Sequence, residues 1–107
     1  MDAQFRRGIL EACVLAVLER GESYGYQLVT DVSKIITITE STLYPILKRL
    51  ESVNMLTVYS KEYNGRLRKY YKITYAGKER IDELLTEWEE ITRIYGVIKE
   101  ERGTNND

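Results

Sequence analysis

Histidine is absent from this chain and cysteine occurs once, at Cys13. With no imidazole and one thiol, the sequence cannot build a Cys/His metal site, nor the Ser-His or Cys-His pair that activates a nucleophile. No metal, cofactor or catalytic residue is expected. Acidic pairs such as Asp82-Glu83 and Glu89-Glu90 do not alter this, because they fall on the polar side of a helical pattern and read as solvated charge. The protein is therefore expected not to be an enzyme. No stretch approaches the roughly 18 apolar residues of a membrane span. Nor is there a basic segment leading into an apolar run with a small-residue cleavage site, so a cytoplasmic location without membrane contact is expected.

The 107 residues that are present, 43% hydrophobic and 31% charged, suit a globular fold with a modest core. Net charge is only −1, but its distribution is uneven. Residues 40–80 hold 9 Lys/Arg against 4 Asp/Glu, and residues 81–107 hold 3 against 8. A basic middle beside an acidic end is what one polyanion-facing surface and one turned elsewhere would produce.

Apolar spacing predicts a first helix from Phe5 to Glu19, with Ile9, Leu10, Cys13, Val14, Val17 and Leu18 on its buried stripe. Cys13 reads as a small core residue. Ser23 is the expected N-cap of a second helix, Tyr24 to about Ile36, which buries Leu28, Val32 and Ile35 or Ile36. Gly25 falls in its first turn, where backbone can approach a neighbour or a phosphate closely. Thr39 should cap a third helix, Thr39 to Glu51, that splits into two faces. Leu43, Ile46, Leu47 and Leu50 repeat at core spacing, while Ser41, Tyr44, Pro45 and Lys48 line the opposite side. Pro45, the single proline, deletes a backbone hydrogen bond and should bend that helix.

Asn64-Gly65 signals a two-residue type I′ hairpin turn. Folding about it pairs Tyr63 with Arg66, Lys61 with Arg68, Tyr59 with Tyr70, Val58 with Tyr71 and Leu56 with Ile73. Leu56, Val58, Tyr71 and Ile73 then share the face turned to the helices, and Tyr59, Lys61, Tyr63, Arg66, Arg68 and Tyr70 share the other. Thr74 should cap a final helix running to about Glu101. Along it Ile81, Leu84, Trp88, Ile91, Tyr95 and Ile98 form a stripe over almost three heptads, more than the compact body before it can cover. Part of that stripe is expected to meet a second copy of the chain.

Three helices followed by a β-hairpin is the order of a winged helix-turn-helix, so the expected class is mainly α (α+β), with a long C-terminal dimerisation helix. Residues 1–74 form the expected DNA-binding domain, 75–102 the dimerisation helix and 103–107 a disordered tail. Ser23-Tyr-Gly-Tyr-Gln27, Thr42-Leu-Tyr-Pro45 continuing into Leu47-Lys-Arg-Leu-Glu51, Gly65-Arg66 leading to Arg68-Lys-Tyr-Tyr71, and Thr74-Tyr-Ala-Gly77 stand in the order and spacing of one family. On these motifs the chain resembles the small form of the PadR family of bacterial transcription regulators. It departs from the family pattern near Ser41, where the family often has glycine, and at Leu67, often proline.

The resemblance implies a dimeric regulator, usually a repressor, bound to a two-fold symmetric operator in double-stranded DNA and in some relatives released by a phenolic or flat hydrophobic effector. Candidate DNA contacts are Tyr24, Tyr26, Ser41, Thr42, Tyr44, Pro45, Lys48, Lys61, Arg66, Arg68 and Lys69. Among these, Tyr44, Pro45 and Lys48 are best placed for base edges and the others for phosphates. Trp88, the single tryptophan, fits either the dimer core or the wall of a ligand slot across a symmetry axis. The alternative class is a winged-helix interaction module whose basic face docks an acidic protein partner.

Overall fold

The computed structural model describes residues 1–104. Positions 105–107 of the expected tail lie outside the described residues, and Gly103 and Thr104 belong to the last helix. Helix α1 spans Ala3–Glu19, starting two residues before the expected Phe5 because the Asp2 carboxylate accepts from the Gln4 and Phe5 amides at 2.9 and 3.1 Å. It is the hub of the core: Leu10, Val14, Leu15, Val17 and Leu18 are buried in one cluster with residues of the later helices and of the hairpin. Cys13 is buried with them, and burial pushes its thiol pKa up.

Ser23 is not a helix cap. Ser23–Tyr24 form a two-residue strand, β1, paired antiparallel with the later strand through Tyr71 and Tyr70. A long-range pairing has overridden a local capping pattern, and the Ser23 hydroxyl is left buried with no hydrogen-bond partner among the described residues. Helix α2 spans Gly25–Ser33, ending three residues before Ile36. Its last turn loosens as the Ser33 hydroxyl bonds the Ile38 carbonyl at 3.3 Å, and of the two isoleucines Ile36 packs on the core while Ile35 is exposed.

Helix α3 spans Glu40–Ser52 and runs unbroken through Pro45. It buries Leu43, Ile46, Leu47 and Leu50, the face its spacing predicts. Thr39 occupies the cap position without a side-chain bond to the helix backbone; its hydroxyl lies instead 3.0 Å from that of Ser41 and 3.3 Å from that of Thr42.

Strands β2 (Leu56–Tyr63) and β3 (Arg66–Ile73) form the hairpin in the expected register, with Asn64 and Gly65 both at positive φ as a type I′ turn requires. The sheet order is β1-β3-β2. Leu56, Tyr71 and Ile73 are buried against the helices.

Thr74 then ties helix α4, Tyr75–Thr104, to the turn that follows α3. Its hydroxyl donates to the Asn54 carbonyl at 2.6 Å and accepts from the Gly77 amide at 3.1 Å, and its own amide donates to the Met55 carbonyl at 3.1 Å. A side chain at Gly77 would overlap that Met55 carbonyl oxygen, so the motif Thr74-Tyr-Ala-Gly77 joins a cap to a close backbone approach. Ile81 and Leu84 pack against the chain's own core. Beyond them α4 leaves the body. The radius of gyration, 17.2 Å, exceeds the about 13 Å of a compact chain this long, and the longest extent is 67 Å.

Candidate nucleic-acid interface

Side chains from three elements converge beside α3. Tyr44 points out from its middle, and its ring lies directly over the α-carbon of Gly25 at the start of α2. Only a residue without a side chain leaves room for that ring, so the glycine in the first turn serves a neighbour. Around this glycine a notch of about 320 Å³ is lined by Tyr24, Gly25, Tyr26, Tyr44, Arg68, Lys69 and Tyr71. A second of about 330 Å³ adjoins it, lined by Tyr44, Lys48, Glu51, Val58, Lys69 and Tyr71. Tyr44, Lys69 and Tyr71 belong to both, so the two make one furrow between α3, the start of α2 and the inner face of β3.

The furrow suits an anionic, grooved partner. Lys48 and Lys69 are exposed, and neither has an ion-pair partner among the described residues. Tyr24 stands at the cap position of α2 with no side-chain cap bond, so the amides of the first turn have no side-chain acceptor there. Such a helix end attracts a phosphate. The floor of the furrow is the buried Tyr71, whose phenol is pushed up by burial first and by Tyr44 and Glu51 second, and which therefore stays protonated.

Ser41, Thr42 and Pro45 are exposed on α3 but do not line the furrow. Lys61 and Arg66 lie on the opposite face of the hairpin from Lys69. Arg66 shares a hollow at the wing tip with Tyr63, Asn64, Leu67 and Arg68. Tyr24 is half-buried, edge-on to Tyr70 at 5.8 Å, whereas Tyr26 is exposed.

Two groups that the sequence did not single out hold α3 in place. Arg49 donates to the Glu11 carboxylate of α1 at 2.7 Å, and Arg6 of α1 donates to the Thr37 carbonyl just before α3 at 2.9 Å. Both bonds span more than 30 positions, so no local pattern announces them.

On the other side of the molecule α4 lies along α1. An apolar groove of about 190 Å³ is lined by Ala12, Cys13, Ala16, Ile35, Ile81, Leu84, Leu85 and Trp88. A second of similar volume is lined by Phe5, Ile9, Trp88, Ile91 and Thr92, so the half-buried indole separates the two. Further along, Ile91, Ile94, Tyr95, Val97 and Ile98 are all exposed.

The architecture agrees with comparison to known proteins. The model of the transcriptional regulator PadR-like family matches residues 14–83. The chain belongs to this family. A transcriptional regulator of Mycobacterium tuberculosis is 30% identical to this PadR-family chain over 91 residues, spanning 84% of the chain and 85% of the relative. The solved PadR family transcriptional regulator from Eggerthella lenta is 34% identical, with a TM-score of 0.79 over 89% of this chain and 85% of its own. Bacillus subtilis PadR, solved in complex with operator DNA, shares the fold at a TM-score of 0.67 and 24% identity, over 72% of this chain and 46% of its own. The protein is thus a PadR-family transcriptional regulator and not an enzyme.

Proposed function

We propose that the protein is a homodimeric repressor of a two-fold symmetric DNA site, released by a small planar or phenolic compound. The observation that carries the DNA reading is the furrow, which gathers Tyr26, Tyr44, Lys48, Lys69 and the uncapped start of α2 beside an exposed wing. Bacillus subtilis PadR, which shares this fold, was solved in complex with operator DNA, and that supports DNA as the partner. In this arrangement α3 enters the major groove. Tyr44, Pro45 and Lys48 face base edges and thymine methyls, while Ser41, Thr42, Tyr26 and Lys69 meet the backbone. Lys61 and Arg66 on the wing add charge toward flanking phosphates.

Dimerisation follows from α4. Its 30 residues make a rod of about 45 Å, and the half beyond Trp88 leaves Ile91, Ile94, Tyr95, Val97 and Ile98 exposed. A second copy laid along α4 and α1 would cover them. Two copies of α3 would then meet successive major grooves about 34 Å apart. The two grooves beside Trp88 each hold about 190 Å³, enough for one aromatic ring but short of the about 300 Å³ where drug-sized sites begin. Doubling across the two-fold axis is what would make a full ligand slot from them.

The decisive experiment is selection of duplexes from a random pool, combined with sedimentation. A palindromic consensus bound by a particle of twice 12.5 kDa is expected. Sequence-blind binding by a monomer, with a saturable complex to an acidic protein instead, would overturn the proposal. For the ligand, phenolic compounds should quench Trp88 fluorescence and lower affinity for the selected duplex. A panel that does neither would leave Trp88 as dimer core.

A further inference from the structure

We propose that Arg68 is not a phosphate contact but a brace that sets the angle between the wing and the start of α2; this rests on the DNA-binding role above. The hairpin has little else to hold its outer half. Strand β1 contributes only two residues, paired at Ser23↔Tyr71 and Tyr24↔Tyr70. The last three pairs of the hairpin, Lys61↔Arg68, Glu62↔Leu67 and Tyr63↔Arg66, lie beyond the end of β1. Among the described residues, ladder bonds join them to each other and to no third strand.

Side chains supply the missing link. Arg68 sits on the central strand, and its diagonal neighbours on the two flanking strands are Tyr24 and Tyr63. Its guanidinium carbon lies 4.0 Å from the ring centroid of Tyr24 and 3.9 Å from that of Tyr63. The row continues inward, with Tyr24 edge-on to Tyr70 and Tyr70 stacked on Tyr59 at 5.6 Å and 17°. Arg68 is half-buried in this row, whereas Lys61, Arg66 and Lys69 are exposed.

A flat guanidinium fits between two rings as an ammonium does not, and it is weakly hydrated enough to remain there. With a ring 4.0 Å away on one flanking strand and 3.9 Å away on the other, the guanidinium is engaged before any other partner arrives. The brace also ends at a telling place. Tyr24 is followed by Gly25, the seat of Tyr44, so Arg68 connects the wing tip to the point on which α3's outward tyrosine rests. The cations of the outer face are therefore unequal: Lys61 and Arg66 provide charge, and Arg68 provides alignment.

The test uses the full chain and the duplex that the wild-type protein selects from a random pool. In the free protein, hydrogen exchange of the amides in residues 61–68 should quicken about tenfold in Arg68→Ala and equally in Arg68→Lys, with the buried end of the sheet unchanged. On DNA, Arg68→Ala and Tyr63→Leu should each weaken binding about tenfold without changing its salt dependence, and the double variant should be no weaker than either. Arg66→Ala should instead lower the log-log salt slope by about 0.9 for each phosphate it no longer neutralises. If Arg68→Ala lowers the slope as Arg66→Ala does, or if Arg68→Lys or Tyr63→Leu behaves as wild type, the brace is overturned. Should the wild type select no duplex, the DNA role falls, and the exchange experiment alone decides the brace.

Discussion

Gly25→Ala should separate DNA binding from folding. A β-carbon at position 25 would overlap the Tyr44 hydroxyl and lie 2.9 Å from Cζ and 3.0 Å from Cε1 of the ring. Ordinary carbon contacts begin at about 3.5 Å, so the end of the ring must retreat by roughly 1 Å. Tyr44 can do this at small cost, because it is 46% exposed and can swing toward solvent. The weaker packing of the ring is offset by the better helix propensity of alanine, worth up to about 1 kcal/mol. Net stability should change by less than about 1 kcal/mol, a Tm shift under about 8 °C. A displaced base contact, by contrast, costs about 1–3 kcal/mol in each half-site. Over two half-sites this is about 2–6 kcal/mol, at least about thirtyfold in Kd. Fluorescence anisotropy on the selected duplex, beside thermal denaturation, measures both. In a Tyr44→Ala background the same substitution should have no further effect on affinity. Binding within about twofold of wild type, or an affinity loss matched by a collapse of Tm, would refute the placement of Tyr44.

The same arithmetic gives the opposite result at Gly77, where the obstacle is the Met55 backbone carbonyl and cannot rotate away. Gly77→Ala should destabilise by about 1–3 kcal/mol despite its helix propensity. Gly96→Ala in the same helix meets open space and should be neutral or stabilising, and equal urea midpoints for the two would contradict this. The Tyr59 phenol, bonded to the Glu22 carboxylate, is pushed up to about 12, and burial raises Tyr71 as well. Both favour the protonated fold, so their contribution is complete below about pH 10, the unfolded value; that of Tyr59 is lost as pH rises through about 12, and that of Tyr71 as pH rises through its own raised value. Tyr59→Phe should flatten that decline in urea midpoints, and an unchanged profile would remove the Glu22 bond from the account. Ile98→Glu, on the uncovered half of α4, should weaken self-association at least about tenfold by sedimentation while leaving far-UV circular dichroism intact.

Much of the fold is legible because it is written in short-range chemistry. Asn64-Gly65 admits a turn type that dictates register, and with the register comes the face of every residue from Leu56 to Ile73. The faces of α3 follow from spacing, since burying four aliphatic residues on one side leaves Tyr44 and Lys48 outside. The cap at Thr74 is equally local. Elsewhere a local signal was outweighed. Ser23 looks like an N-cap and is a strand residue, because pairing with Tyr70 and Tyr71 satisfies more backbone than one capping bond would. The α4 stripe reads as a single surface, yet its near end, Ile81 and Leu84, is covered by the chain's own body, while Ile91, Tyr95 and Ile98 further along are exposed.

By itself, then, the sequence determined which side chains share a helix face or a strand face, and hence a winged helix with an outward row of hydroxyl, aromatic and cationic groups. Local spacing and turn chemistry suffice for that. Only the tertiary structure decided that Tyr44 rests on Gly25, that Arg49 is held by Glu11, and that Arg68 lies between Tyr24 and Tyr63. Each of these joins residues about 20 to 45 positions apart or on different strands, at distances set by how helices and sheet pack rather than by any repeat along the chain.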